Sequence, residues 1–289
     1  MEFVRTRIEA AVLGITMPGQ TIDYLNPPGD PGLFGPQSMA WQVHGDFTAM
    51  LAGGVSALML QMLHPAALAG VWDHSNFRVD MLGRLRRTAR FVAATTYASR
   101  QDADYLIDHV RRIHASVSGL TPAGTPYAAS DPHLLTWVHV AEVSSFLESF
   151  LVYRQPDFPL AAQNQYLDEI ALIAERLGAQ NVPRNVVDMR NYLESMRGEL
   201  VNDARTQETL RLVLTAPAPG PLAVPFVRLM MRAGIDLLPG FAQDMLGVRQ
   251  LGSVRQAALR QSVRLAAQPL RWAVRNGTVH RAKRRVGVP

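Results

Sequence analysis

Six histidines lie between residues 60 and 139, and four of them lie on or beside segments whose apolar pattern is typical of buried helices. These four are His64, His74, His114 and His139. A buried imidazole needs a hydrogen-bond or metal partner, because an unsatisfied polar group inside a protein costs roughly 1–3 kcal/mol. Several such groups in one stretch indicate that this part of the chain holds a prosthetic group.

The segment VRRIHASV is the first place where such a group could be bound. Val110, Ile113, His114 and Val117 fall at helical spacing, so we expect His114 on the buried face of a helix. A histidine in that position can be a metal ligand. The alternative is a core histidine that is hydrogen-bonded to a carbonyl or carboxylate.

The segment GRLRRTARF carries two guanidinium groups and a hydroxyl on one predicted helix face. Arg84, Arg87 and Thr88 occupy positions i, i+3 and i+4. Such a face could hold an anion or an oxygen species. The alternative is a solvated basic face that pairs with carboxylates such as Asp80.

The other three histidines have simpler alternatives. His64 precedes Pro65, a position biased away from helical geometry, so it lies where a long apolar helix must end. His74 follows in WDHS, and His139 lies in LLTWVH. Each either lines a pocket or serves as a capping or packing residue.

Composition excludes several classes of protein. The 289 residues are 48% hydrophobic and 18% charged, which implies a large interior, and they include no cysteine. Disulfides, thiolate ligands and cysteine nucleophiles are therefore excluded. HExxH, Walker and GxSxG motifs are also missing, which argues against zinc hydrolases, nucleotide enzymes and serine hydrolases.

Charge and targeting signals favour a cytoplasmic protein. The net charge is +5, with many arginines after Gly247. This basic end is more simply a solvated, mobile terminus than a surface for anionic lipid or nucleic acid. No secretory signal is evident, and the apolar run 49–63 is too short to cross a bilayer, so it predicts a buried helix. Peripheral membrane contact is the alternative.

The periodicity predicts an all-α protein, a single large multi-helix bundle enclosing the cofactor pocket. We expect an irregular N-terminal arm over 1–37, a catalytic domain over 38–250, and a basic C-terminal helix and tail over 251–289. No strand pattern competes. Asp131 and Pro132 indicate a helix start. The predicted helices are 38–64, 81–99, 101–118, 132–153, 160–177, 183–201, 203–214, 222–235, 240–247 and 250–275.

Taken together, several of these segments resemble the family of the mpaB oxygenase and the rubber oxygenase (latex clearing protein) catalytic domain. The resemblance covers most of residues 33–250. Its order and spacing are specific, whereas each piece alone is weak. The matching segments are LFGPQSMAWQVHGD, GGVSALMLQMLHPAALAGVWDHSNF, GRLRRT, VRRIHASVSG, GTPYAASDPHLLTWVH and LLPGFAQDMLG.

This resemblance implies a helical fold that binds haem b through a proximal histidine, here His114. Arg84, Arg87 and Thr88 would then lie beside the haem, at the distal pocket or at the propionates. We also expect Arg111 and His139 to contact the cofactor, and His64 and His74 to line the catalytic pocket. The chain differs from the rubber-cleaving branch at Arg87, a lysine there, and at Ser118-Gly119, which is Arg-His there.

The leading hypothesis is a haem b-dependent oxygenase that uses dioxygen on an apolar or moderately apolar organic substrate. One alternative is a haem-dependent dehydrogenase or peroxidase that inserts no oxygen. Another is a non-catalytic haem-binding or helical interaction protein. We expect a small organic substrate and no nucleic acid as partners, and a homo-oligomer is compatible with the sequence.

Overall fold

The computed structural model describes residues 1–16, 22–218 and 220–288. Within these ranges the regular secondary structure is helical apart from one small hairpin, which confirms the predicted all-α class. The helices are α1 (Glu2–Thr16), α2 (Met39–His44), α3 (Phe47–Gln61), α4 (Pro65–His74), α5 (Met81–Tyr97), α6 (Arg100–Ala115), α7 (Pro132–Tyr153), α8 (Leu160–Leu177), α9 (Val186–Ser195), α10 (Ala204–Leu214), α11 (Val224–Leu237), α12 (Gly240–Leu246), α13 (Ser253–Ala273) and α14 (Thr278–Arg285). Short 3₁₀ turns span Met196–Glu199 and Pro221–Ala223.

Helix starts follow the capping residues of the sequence. Asp131 accepts hydrogen bonds from the amides of His133 and Leu134, as predicted for the start of α7. The prediction of one continuous helix over 38–64 is wrong. The chain turns at Gly45, and the Asp46 carboxylate then caps a new helix by accepting from the Ala49 amide.

No helix was predicted between residues 64 and 81, but the HPAALAG segment begins helix α4. Pro65 fits the first helical position, and the His64 side chain accepts a hydrogen bond from the Ala66 amide. The chain bends by 103° between α3 and α4. His64 therefore stands at a corner of the fold.

Helix α3 occupies the centre of the bundle, packed along α7 and against α11. Close approach requires glycine. A Cβ on Gly53 would lie 2.9 Å from the Ser145 carbonyl oxygen on α7, and one on Gly234 of α11 would lie 2.4 Å from a Val55 methyl carbon. The Ser149 hydroxyl also donates to the Ala49 carbonyl at 2.6 Å, which ties α3 to α7.

A short antiparallel hairpin is the exception to the helical prediction. Strand β1 (Ser118–Leu120) pairs with β2 (Pro126–Ala128), and the hairpin packs on α4. The Tyr127 hydroxyl donates to Asp73, and the Gly119 backbone lies against the Tyr127 ring. Helix α6 therefore ends at Ala115, before the predicted 118.

The N-terminal segment is more ordered than expected. Residues 1–37 were predicted to be irregular, but Glu2–Thr16 forms α1, which packs on α13. The irregular prediction holds from residue 22 to Ser38, the N-cap of α2. Residues 17–21 of the predicted arm lie outside the described residues.

The arginine-rich C-terminal end is not a solvated tail, so that expectation was wrong. Arg264 donates to the Val152 carbonyl, Arg271 donates to Asp46 at 2.6 Å, and Arg260 pairs with the buried Asp236. The Arg285 guanidinium is buried and donates to backbone carbonyls, including that of Asp30. These arginines attach α13 and α14 to the bundle.

Within the described ranges, no single helix is long and apolar enough to span a membrane. Only the bent pair of α3 and α4 passes a test of length and composition when the two are taken together.

Candidate functional site

Helices α5 and α6 pack together and place His114 near Arg84. Burial, and then the positive charge of Arg84, lower the pKa of the His114 imidazole. Its Nδ1 atom is buried and has no hydrogen-bond partner. The site therefore holds a neutral imidazole whose Nδ1 is available to bind a metal ion.

The buried face of α6 differs slightly from the predicted one. Ala103 and Ile107 are fully buried, and Val110 and His114 continue this line at helical spacing. Ile113, expected on the same stripe, is 46% exposed. His114 is thus half-buried near the end of its helix, as α6 leaves the core.

Within the RLRRT segment, Arg86 is half-buried with a buried Nε that has no partner among the described residues, and Arg84 is half-buried as well. Burial of Arg84, and then the charge of Arg87, lower the pKa of the Arg84 guanidinium. Arg87 is itself exposed and donates to the Asn76 side chain at 3.2 Å, with Asp80 at 3.9 Å. The predicted alternative of pairing with Asp80 therefore describes Arg87 but not Arg84.

Two other predicted contacts lie at the surface. The Thr88 hydroxyl is exposed and donates to the Arg84 carbonyl of its own helix at 3.4 Å. Arg111 is exposed and lies 3.4 Å from Asp108, one turn earlier. The structure does not bring Thr88 or Arg111 into a buried group with His114.

His64 and His74 lie at opposite ends of α4. His64 is buried beside Trp137, with the two ring centroids 6.1 Å apart. His74 is exposed, and its Nε2 lies 3.2 Å from the Ser118 carbonyl of the hairpin. His74 therefore contributes to holding the hairpin on α4.

His139 lies deep within α7, as predicted. Its Nε2 is buried without a partner, and burial lowers the pKa of the imidazole to about 4. Glu142, one turn later, makes no hydrogen bond or ion pair with any other described residue, and burial raises the pKa of its carboxyl to about 7. Sequence reasoning missed Glu142, although a lone carboxylate three residues after a histidine in an apolar helix was the available signal.

His44, a buried histidine outside the predicted set, differs from His114 because both of its ring nitrogens have hydrogen-bond partners. His44 Nδ1 lies 2.8 Å from the Thr96 hydroxyl and its Nε2 lies 2.9 Å from the Tyr166 hydroxyl. Burial lowers its pKa to about 3. His44 therefore connects α2, α5 and α8 as a structural residue, in contrast to His114.

A second cluster joins His64 to residues that the sequence did not single out. Glu199 accepts from His133 Nε2 at 2.9 Å and lies 3.7 Å from His64 Nε2. Their potential ligand atoms all lie within 4.8 Å of one another. A pocket of about 420 Å³ adjoins His133 and is lined by Asp131, Pro132, His133, Thr136, Gln180, Asn181 and Tyr192.

Half-buried apolar side chains of α4, α5 and α7 are among those that pack on the main core, and they include Ala66, Ala67 and Val71 of α4, Leu85, Phe91 and Val92 of α5, and Val138 of α7. Burial is the larger cause of the lowered pKa of His114, and the positive charge of Arg84 is the second cause. A guanidinium in this position is suited to a carboxylate group.

Comparison with known proteins places the chain in a family. No curated protein and no solved structure gives a significant match. A family model described as "ER-bound oxygenase mpaB/B'/Rubber oxygenase, catalytic domain" matches residues 41–272, which is most of the chain and includes every site residue named above. The chain therefore belongs to the mpaB and rubber oxygenase catalytic-domain family.

Proposed function

We propose that this protein is a haem b-dependent oxygenase that uses dioxygen on an apolar or moderately apolar organic substrate. Family membership supports oxygenase activity. The observation that carries the haem proposal is the buried, unpartnered Nδ1 of His114, next to the half-buried Arg84. Nearly all buried polar atoms in natural proteins have a hydrogen-bond partner or bind a metal ion, so we expect this nitrogen to bind a group.

His114 and Arg84 would hold the cofactor. A histidine must be neutral to bind iron, and burial together with the charge of Arg84 favours the neutral form of His114. The Arg84 guanidinium is suited to a propionate carboxylate. Arg87 and Thr88 lie at the exposed end of the same face, where they can contact the cofactor edge or an entering molecule.

Haem iron, when bound, supplies the activation of dioxygen, and the protein supplies binding, orientation and exclusion of water. We infer that half-buried apolar side chains of α4, α5 and α7, which pack on the main core, would provide the apolar surface for the substrate. His139 and Glu142 lie one turn apart in α7, and both are neutral or readily neutralised near pH 7. Glu142 can hold or release a proton near pH 7, whereas His139 stays neutral there, so neither side chain places a permanent charge in the interior.

Replacement of the proposed ligand tests the cofactor assignment. His114→Gly should lose stoichiometric haem b, and added imidazole should restore it by occupying the vacated position. His109→Gly is the matched control, because His109 is exposed on the same helix, and this variant should keep its haem. Full haem content in His114→Gly without imidazole would overturn the assignment.

Labelled dioxygen distinguishes the proposed oxygenase activity from the dehydrogenase or peroxidase alternative. Mass spectrometry of the product formed under ¹⁸O₂ should find label from the gas. An unlabelled, desaturated product would favour the alternative and contradict oxygenation.

A further inference from the structure

Three potential metal ligands from distant parts of the chain converge away from the His114 site. His64 stands before α4, His133 lies in the first turn of α7, and Glu199 ends the 3₁₀ turn Met196–Glu199. The two Glu199 oxygens lie 3.0 and 2.9 Å from His133 Nε2. Oε2 of the same carboxylate lies 3.7 Å from His64 Nε2.

His64 provides an independent observation that points to a ligand. The residue is only 7% exposed, and its Nε2 is buried with no hydrogen-bond partner. At 3.7 Å the Glu199 carboxylate is too far away to satisfy it. This buried nitrogen therefore belongs to the cluster that also contains the Glu199 carboxylate and the His133 imidazole.

We propose that His64, His133 and Glu199 bind a divalent first-row transition-metal ion. Two imidazoles and one carboxylate are a ligand set that Zn²⁺ and similar ions prefer. With metal–ligand bonds of about 2.0–2.2 Å, tetrahedral ligand atoms lie about 3.3–3.6 Å apart. The separations of 2.9 and 3.7 Å from Glu199 to the two imidazoles fall on either side of that range, and all three ligand atoms lie within 4.8 Å of one another, so side-chain adjustments bring them to a common ion.

The fourth coordination position would face the adjoining pocket. That pocket has a volume of about 420 Å³ and is lined by His133 and Tyr192. The Tyr192 hydroxyl is buried without a partner, and burial followed by the charge of Glu199 raises its pKa. Sites with three protein ligands and an open position bind water or a small oxygen ligand, whereas structural sites usually close with a fourth residue.

Metal binding would remove the hydrogen bond by which the His64 side chain caps helix α4. Nδ1 of His64 now accepts a hydrogen bond from the Ala66 amide at 3.2 Å, so the proton of the neutral ring is on Nε2. Coordination through Nε2 moves that proton to Nδ1 and breaks this bond. Coordination also replaces the hydrogen bond from His133 Nε2 to Glu199, so two hydrogen bonds are lost against three metal–ligand bonds gained.

Zinc titration of the full-length protein, after dialysis against a chelator, tests the site by calorimetry. We expect one Zn²⁺ per chain, and His133→Ala and Glu199→Gln should each raise the Kd by at least about 100-fold. Both side chains are about half exposed, at 52% and 49%, so the variants should fold, and circular dichroism checks this. His109→Ala, at an exposed histidine outside the cluster, should bind as the unchanged protein does.

Absence of zinc binding by the unchanged protein would overturn the proposal. So would a Kd that is the same in His133→Ala and Glu199→Gln as in the unchanged protein. The site shares no residue with His114 and Arg84, so the haem content of the same samples is measured separately. A colourless protein that binds zinc would leave this proposal standing and contradict the haem proposal.

Discussion

Arg84 on α5 lies close enough to His114 on α6 for its charge to lower the pKa of the imidazole. The two residues are thirty positions apart, and the packing of α5 on α6 brings them together. Like charges at this site would repel, so the fold favours a neutral His114. A neutral imidazole beside a half-buried cation is the arrangement on which the proposed function depends.

Removal of the Arg84 charge should raise the pKa of His114. In Arg84→Gln, prepared without haem, we expect the imidazole to titrate at higher pH than in the unchanged protein, as followed by NMR of the histidine ring signals. Arg87→Gln is the control, because Arg87 is exposed and bonded to Asn76. An unchanged or lower pKa in Arg84→Gln would show that the two side chains do not interact.

Glu142 should make stability depend on pH. Its carboxyl has a pKa of about 7 in the folded chain, against an ordinary value of 4.5. Between these values the folded chain keeps a proton that the unfolded chain has lost, so the free energy of unfolding falls as pH rises. The contribution is at most about 1.4 kcal/mol per pH unit within the window.

Urea denaturation of Glu142→Gln at several pH values checks this. The variant cannot ionise, so its stability relative to the unchanged protein should increase from pH 4.5 to 7. A constant difference across that range would mean that Glu142 titrates normally.

Gly53 should tolerate no side chain. In Gly53→Ala the new Cβ would lie 2.9 Å from the Ser145 oxygen and 3.0 Å from the Phe146 ring, so α3 and α7 must separate. We expect a loss of about 1–3 kcal/mol in thermal or urea unfolding. At the neighbouring Gly54 the nearest atom is 3.9 Å away. Gly54→Ala should therefore be neutral or slightly stabilising, and equal effects at both sites would contradict the packing.

Arg271 should stabilise the fold through Asp46. Its guanidinium donates to the nearly buried Asp46 carboxylate, which also caps α3. Arg271→Ala should cost about 1–3 kcal/mol in urea unfolding, because that carboxylate loses its closest cation. Arg255→Ala, at an exposed position of the same helix, should change stability by less than about 0.5 kcal/mol. Similar losses in both variants would remove the role given to Arg271.

Local sequence signals located those helices whose ends carry strong capping residues. Helix α7 spans the predicted 132–153, because Asp131 and Pro132 fix its start. The break at Gly45 was missed because apolar residues continue on both sides of it. Helix α4 was missed because the His64-Pro65 pair resembles a turn, although proline also suits the first helical position.

The candidate sites were only partly predictable, for a physical reason. His114 and Arg84 were recognised because each belongs to a motif with helical spacing. Glu199 was not, because it lies 66 residues from His133 and meets it only through the packing of α9 and its 3₁₀ turn near the start of α7. The C-terminal arginines seemed free because sequence does not reveal the buried carbonyls that they bind.

The absorption spectrum of the purified protein, before and after dithionite, tests the central claim most directly. The account predicts a haem Soret band that shifts on reduction in the unchanged protein and is lost or strongly reduced in His114→Ala. A colourless protein after expression with ample haem, or an identical Soret band in His114→Ala, would contradict it.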